Sequence, residues 1–430
     1  MKVSIPKGLF DILPYGYGQD WQNIHYWQYV ESVIYKLAAD YGFSEIRTPV
    51  FEHADLFLRG VGSTSDIVNK EMYVFKDRKE RLLALRPEGT SSIIRAFVEK
   101  SLFSLKKVHK FFYIAPMFRY ERPQAGRYRQ HHQFGVEAIG NFSAEQDAEI
   151  IDLLYELYQR LGLKKVKVWV NSLGDLPSRE AYREALQNYF KPYFSDLSEE
   201  SQIRFTKNPL RILDSKNPKD QPIVKDAPQL IDYLNDFSRN HFISLLSLLD
   251  RLEIPYEVNP RIVRGLDYYN HTVFEITSEE LGAQNALGGG GRYDGFTSLF
   301  GGPSLPGIGF GTGLERILQA LLSQKAKLPV SNIPSFLLVP LGEKAKQESL
   351  YLATQLRRCR LSCEVDLSEK KLKQSLSYAS SQNIPYVVIM GENELSQKTL
   401  QLKNMKENKE EELSQESFLH RFCKEENSHV

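Results

Sequence analysis

The sequence predicts a mixed α and β chain in two parts. The larger N-terminal part combines helices with aromatic β texture and carries a helical module. A small α/β domain follows it. Three observations predict this arrangement. Residues Val108 to Gly140 hold two aromatic-rich runs around a polar, glycine-containing middle, the pattern of a hairpin with a long loop. From about Ser172 to Pro260 the texture turns to short helical patterns separated by polar, proline-containing stretches. Beyond Ser335, strand and helix patterns alternate, which implies a largely parallel sheet.

The elements follow in order. Trp21, Ile24, Trp27, Ile34, Leu37 and Tyr41 recur at helical spacing and predict a core-facing helix from Asp20 to Tyr41. Gly42 ends it, and SEIRTPVFE continues as an extended segment broken by Pro49. After the hairpin, Ala144 to Leu161 is a helix with Ile151, Leu154, Tyr158 and Leu161 on one face. Lys165 to Val170 alternates like a strand. The module contributes helical patterns such as SREAYREALQNYF and FISLLSLLDRL. Gln324 to Ser335 reads as a linker. FLLVPLG, CEVDL and PYVVIMG are the strands of the final domain, and its mixed-charge tail ends in a helix.

Bulk properties set limits. A chain of 430 residues has room for two to four domains. Hydrophobic residues make up 42% and charged residues 25%, so packed cores in water are expected. Formal net charge is +1, and any nucleic-acid footprint must be local rather than global. Three cysteines without a CxxC pair argue against a disulfide framework and for a reducing cytoplasm. The N-terminus lacks the apolar core of a signal peptide, and no apolar run approaches the ~20 residues of a membrane helix.

Several chemistries are missing. There is no GxxxxGK[ST], no HExxH, no GxSxG and no Cys/His cluster at zinc-ligand spacing, so no metal site is expected. GIGFGTG does not meet the GxGxxG order. His131 and His132 are adjacent in a strand and must face opposite sides.

Five segments carry chemistry instead. In MFRYERPQAGRYRQHHQFGVEAIG, Arg119, Arg122, Arg127 and Arg129 supply planar donors suited to phosphate. On the returning strand Gln133, Gly135 and Glu137 share parity and line one face. In RPEGTSSIIRAF, Glu88 and Thr90 stand before a helix, either as caps or as acceptors for an ammonium group. RGLDYYNHTVFE places Arg264 near Tyr268 and Tyr269. The glycine run of LGGGGRYDGF makes a tight bend or lets backbone approach a ligand. In GFGTGLERIL, Arg316 sits in the first turn of a helix, against the macrodipole preference, which points to an anionic ligand.

In this order and at these distances, the five segments resemble those of class II aminoacyl-tRNA synthetases. SEIRTPVFE, FRYERPQAGRYRQHHQFGVE and GFGTGLERI are similar to that class's three motifs. RGLDYY and GGGGRYDG are similar to two segments particular to the histidyl-tRNA synthetase family. The resemblance implies an α+β catalytic domain over residues 1–325, with a mainly antiparallel sheet and a helical insertion at about 172–260. It implies an α/β anticodon-binding domain over 331–430 and a homodimer. The implied activity is ATP-dependent joining of L-histidine to tRNA(His) through a histidyl-adenylate, with ATP bringing Mg²⁺.

By the same resemblance, Arg119 and Arg316 bind ATP at the α- and γ-phosphates. Arg264 faces the amino-acid carboxylate and the α-phosphate, and these three arginines are the expected catalytic residues. Glu88, Thr90 and Gln133 hold the α-ammonium of histidine. Glu137 and Tyr269 read its imidazole, with Tyr268 and Tyr293 nearby. Arg122, Gln124 and Arg127 of the hairpin loop contact the acceptor end of tRNA. Two other readings stand beside this one: a histidine-sensing regulatory subunit of ATP phosphoribosyltransferase, and a non-catalytic tRNA-binding protein. The first typically lacks the C-terminal domain and has eroded arginines. The second has no use for a pocket-facing Gln133 and Glu137.

Overall fold

The aromatic runs flanking the arginine-rich loop are two strands, His109–Phe118 and Gln130–Ile139. They pair antiparallel in unbroken register from His109↔Ile139 to Phe118↔Gln130. A computed structural model describes the chain apart from residues 1, 2, 15–17, 63, 64, 66, 122–126, 214, 263–265, 267, 282–284, 330–332, 369, 370 and 426–430. It divides into two units, Met1–Leu328 and Pro329–Val430.

The strands of the first unit are β1 (Ser44–Glu45), β2 (Phe51–His53), β3 (Val74–Lys76), β4 (Leu82–Leu85), β5 (His109–Phe118) and β6 (Gln130–Ile139). They continue with β7 (Val166–Ser172), β8 (Tyr256–Val258), β9 (Asn270–Ser278), β10 (Ala286–Arg292) and β11 (Gly307–Gly313). One sheet runs β1-β5-β6-β11-β10-β9-β7-β8. Its inner strands all pair antiparallel, and β1 and β8 add parallel at the edges. The mainly antiparallel sheet is as expected. β2, β4 and β3 form a separate antiparallel sheet.

Helices are α1 (Ile24–Asp40), α2 (Ala54–Val61), α3 (Thr90–Glu99), α4 (Ala144–Arg160), α5 (Leu176–Phe190), α6 (Glu199–Lys207), α7 (Gln221–Lys225), α8 (Asp236–Arg251) and α9 (Leu314–Ser323). α1 starts later than the periodicity suggests. Asp20–Gln22 is a 3₁₀ turn, and the Asn23 side chain then accepts from the His25 backbone N–H to cap the helix proper. α1, α4 and α9 cover one face of the large sheet. Their Trp27, Ile151, Leu154 and Ile317 share a core with Phe134, Val136, Phe274, Ile308 and Phe310 of the strands. Because strand side chains alternate, Gln133, Gly135, Glu137, Glu275, Gly309 and Gly311 stand on the other face. Binary patterning thus gives one apolar face to the core and leaves the other for a site.

The helical module has its own core of Leu173, Tyr182, Leu186, Phe190, Leu197, Ile212, Val224 and Leu230. Buried Asp220 ties its short helices together by accepting from the Ser198, Ser201 and Ser215 hydroxyls. α8 differs, because Phe242, Leu245 and Leu249 pack into the main core of the sheet.

In the second unit β12 (Phe336–Pro340), β13 (Cys363–Val365), β14 (Tyr386–Met390), β15 (Thr399–Asn404) and β16 (Lys409–Ser414) follow the order β13-β12-β14-β15-β16. The strands read from sequence are the parallel ones; β12 and β14 are mostly buried and apolar, and β13 is half-buried at the sheet edge. Of the antiparallel β15–β16 hairpin, β16 falls in the stretch read as a charged tail and β15 mostly just before it, where no strand was expected. β16 is a mostly exposed edge strand of sequence KEEELS, and its alternation is hidden by charge. Helices α10 (Glu343–Arg358), α11 (Leu372–Ser381), α12 (Glu392–Gln397) and α13 (Gln415–Glu425) complete the unit.

Cys359, just after α10, is joined by a disulfide to Cys423 of α13, with Cα atoms 5.4 Å apart. This corrects the expectation of no disulfide. Count and local spacing are blind to two helices that bring together residues 64 positions apart. Cys363 remains a thiol.

Candidate active site

The polar face of the large sheet lines a cleft of about 600 Å³. Its floor is built where the start of α3 meets β6. The Glu88 carboxylate caps the helix, accepting from the backbone N–H of Thr90 at 2.6 Å and of Ser91 at 2.9 Å. The capping reading of Glu88 is therefore realised, and the residue also lines the cleft. Burial raises its pKa, opposed by those hydrogen bonds and by the charge of Arg119.

Thr90 Oγ1 donates to Glu137 Oε1 at 2.7 Å, and the Tyr293 hydroxyl donates to Glu137 Oε2 at 2.5 Å. Glu137 is 1% exposed, and burial pushes its pKa up to about 8, although both hydroxyls favour its charge. A carboxyl so placed can exchange a proton with a basic ring near neutral pH. Tyr268 packs on Tyr269 with ring centroids 4.7 Å apart and on Tyr293 at 6.0 Å. All three tyrosines line the cleft.

The glycines of GIGFGTG are strand residues in β11, not the loop-like turn that their composition suggests. They are required because β11 pairs beside β6 and the Glu137 and Gln133 side chains lie over its site face. A Cβ on Gly309 would stand 2.3 Å from Glu137 Oε2, and one on Gly311 would stand 2.0 Å from Gln133 Nε2. The run in LGGGGRYDGF is likewise strand, in β10, where a Cβ on Gly290 would meet the Gly309 carbonyl oxygen at 1.9 Å. The register of β10 against β9 shifts at both ends of the run, and Gly288 and Gly289 line the cleft, so close backbone approach is the part of the expectation that is met.

Cations stand across the cleft from this floor. Arg119 donates from Nε to the Pro87 carbonyl at 2.9 Å. Arg316, in the first turn of α9, donates to the Ala286 carbonyl at 2.5 Å. Burial, then the charge of Arg127, lowers the Arg316 pKa, while Glu121, Glu275 and Glu315 oppose the change. Both arginines line the cleft, as does Arg127, which pairs with Glu121 at 3.2 Å. His131 also lines it. Burial first, and then the charges of Arg119, His132 and Arg316, push the His131 pKa down to about 3, so its ring is neutral. His132 faces away, packed edge-on against Trp27, and donates its backbone N–H to Glu315 at 2.7 Å.

Of the residues singled out from sequence, Glu88, Thr90, Arg119, Arg127, Gln133, Tyr268, Tyr269, Tyr293 and Arg316 thus share one cleft. Glu137 joins them through Thr90 and Tyr293. Arg122, Gln124 and Arg264 lie outside the described residues. Sequence reasoning missed Tyr113, whose hydroxyl accepts from Gln133 Nε2 at 2.9 Å. Its signal was an aromatic facing a glycine across a hairpin, Tyr113↔Gly135. It also missed Arg179, Arg204 and Arg211, which reach the cleft from the helical module. Nothing local marks those arginines. Among the described residues no three His, Cys, Asp or Glu side chains are placed to hold a metal, and no helix is long and apolar enough to cross a membrane.

The arrangement joins an acidic, hydroxyl-lined floor to a pair of guanidinium groups. It suits a small ligand with a basic ring and an ammonium, held beside a polyanion. Known proteins agree with it. A profile of the family described as histidyl-tRNA synthetase matches residues 22–317, and one described as an anticodon binding domain matches 335–425. A histidine–tRNA ligase of Protochlamydia amoebophila is 53% identical over 414 residues, covering 96% of this chain and 98% of its own. One from a Geobacillus species is 48% identical over 408 residues, covering 94% and 95%. The crystal structure of apo histidyl-tRNA synthetase from S. aureus superposes with a TM-score of 0.83 at 33% identity, covering 98% of this chain and all of that one.

Proposed function

This chain belongs to the histidyl-tRNA synthetase family, and on that premise we propose how its own residues join L-histidine to tRNA(His). The enzyme is a class II histidine–tRNA ligase. Histidine and ATP give histidyl-adenylate and pyrophosphate, and the histidyl group then passes to the terminal ribose of the tRNA. The observation that carries the residue assignment is the Thr90–Glu137–Tyr293 floor beside Arg119 and Arg316 in one cleft.

In the first step the histidine carboxylate attacks the α-phosphorus of ATP and pyrophosphate leaves. A carboxylate is already a nucleophile, so no general base is needed. Negative charge builds on the phosphoryl oxygens. Arg119 at the α-phosphate and Arg316 at the γ-phosphate stabilise that charge without reorganising, with Arg264 between the substrate carboxylate and the α-phosphate. Loss of one such contact costs roughly 10²–10³ in rate. ATP would bring Mg²⁺ on its phosphates; Glu71, Glu121 and Glu275 line the cleft but do not come together as a metal-holding group among the described residues.

Glu88, Thr90 and Gln133 hold the α-ammonium. Glu137 and Tyr269 read the imidazole, with Tyr268 and Tyr293 nearby. A ring without donors would bury itself against the Glu137 carboxyl with nothing to offer it, which is how such a site rejects analogues. Arg122, Gln124 and Arg127 contact the acceptor end of the tRNA. Residues 1–325 form the catalytic domain, with its helical insertion at about 172–260, and residues 331–430 bind the anticodon. The enzyme works as a homodimer in the cytoplasm.

The regulatory-subunit reading does not account for the anticodon-binding match over residues 335–425 or for Arg119 and Arg316 lining the cleft. A tRNA-binding protein without catalysis does not account for the buried Glu137 floor. Histidine-dependent exchange of pyrophosphate into ATP, followed by charging of tRNA(His), tests the assignment. Absence of exchange with histidine would overturn the activity; exchange with another amino acid alone would overturn the specificity.

A further inference from the structure

Tyr113 lies in β5 directly opposite Gly135 of β6. It is 4% exposed. Its ring occupies space that two glycines leave open. A Cβ on Gly135 would stand 2.3 Å from the ring, and one on Gly89 would stand 2.4 Å from it. Both are in telling places. Gly89 separates Glu88 from Thr90, and Gly135 lies midway between Gln133 and Glu137. One phenol therefore packs against both of the segments that supply Glu88, Thr90, Gln133 and Glu137.

Its hydroxyl makes a specific contact. Gln133 Nε2 donates to Tyr113 Oη at 2.9 Å. That bond uses one of the two amide N–H groups and sets the rotation of the amide, which turns its carbonyl Oε1 away from Tyr113. An ammonium needs acceptors, and the –NH₂ end of an amide would repel it. Tyr113 itself is absent from the cleft lining and borders a separate hollow of about 140 Å³ with Thr48, Arg86, Ile93 and Met117. It acts through Gln133 and does not touch the cleft. Burial, and then the nearby Glu137 and Glu88 carboxylates, keeps the phenol protonated well above its ordinary range.

We propose that Tyr113 is a positioning residue for amino-acid recognition: its hydroxyl locks the Gln133 amide so that the carbonyl oxygen faces the substrate α-ammonium. The inference rests on the assignment of Gln133 to that ammonium.

The test uses the full-length enzyme in histidine-dependent pyrophosphate exchange. Tyr113→Phe keeps the ring and removes only the oxygen. KM for histidine should rise about tenfold, the scale of one lost contact to a charged group. KM for ATP and kcat should stay within about twofold. Inhibition by imidazolepropionate, which has no ammonium, should change less than about twofold, because a merely structural defect would weaken both ligands alike. Gln133→Ala should raise KM for histidine, and adding Tyr113→Phe to it should have little further effect. Gly135→Ala, which pushes on the same ring from the other strand, should raise KM for histidine before KM for ATP.

An unchanged KM for histidine in Tyr113→Phe, with Gln133→Ala impaired, would overturn the positioning role alone. An unchanged KM in Gln133→Ala would overturn the assignment of Gln133 on which it rests. Equal weakening of histidine and imidazolepropionate in Tyr113→Phe would make Tyr113 a structural residue only.

Discussion

Thr90 and Glu137, which are 47 positions apart, are joined by a 2.7 Å hydrogen bond at the floor of the cleft. It ties the first turn of α3 to the C-terminal part of β6. Removing the hydroxyl leaves Glu137 Oε1 buried without that donor, a loss of about 1–3 kcal/mol. Thr90→Val should therefore raise KM for histidine by ~10-fold or more in pyrophosphate exchange. Thr90→Ser, which restores the donor, should return most of the affinity; a serine variant as poor as the valine one would show that shape, not the hydrogen bond, matters.

Glu137 should make stability depend on pH in a definite direction. Its folded pKa, about 8, lies above the ordinary 4.5. Between these values the folded state holds a proton that the unfolded state has lost, so stability falls as pH rises across this window. Glu137→Gln removes the effect. The stability of the variant minus that of wild type should grow by on the order of 1–3 kcal/mol from pH 5 to pH 8. Urea unfolding at the two pH values measures the difference, and a gap that shrinks toward pH 8 would contradict the raised pKa.

Gly309 and Gly311 should not tolerate alanine. The added methyl would overlap Glu137 Oε2 in the first case and Gln133 Nε2 in the second. Overpacking of this kind costs about 1–3 kcal/mol. Each variant should lose at least roughly tenfold in kcat/KM for histidine, because the displaced group is a recognition group. Thermal unfolding beside kinetics separates the two effects; full activity in either variant would mean that the strands spread at no cost.

Asp147 and Arg292, both fully buried, form an ion pair at 2.7 Å. Thr272 and His241 also bond to Asp147 Oδ2, at 2.6 and 2.8 Å. Breaking such a pair by removing one partner leaves an uncompensated charge and costs about 3–5 kcal/mol. Asp147→Ala should lower the urea midpoint accordingly, while KM for histidine in the remaining folded protein changes little. A drop of less than about 1 kcal/mol would mean that water or the neighbouring Asp294 compensates Arg292.

The sequence by itself determined the periodic elements and the face on which Gln133, Gly135 and Glu137 stand, because strand parity is a local property. It determined that His131 and His132 part company for the same reason. The order of five polar segments was enough to suggest the family. Tertiary structure alone decided what those residues do to one another. The carboxyl of Glu137 is raised in pKa only because the whole fold buries it, against the lowering pull of the Thr90 and Tyr293 hydroxyls that α3 and the residue after β10 deliver. The glycine run of β10 stays open between a bend and close approach, and that of β11 has no stated role, until strand pairing shows which atoms their Cβ positions would meet. Tyr113, the module arginines and the Cys359–Cys423 pair escaped for one physical reason. Their partners are distant in sequence, and burial, pairing and charge are set by what the whole fold brings alongside.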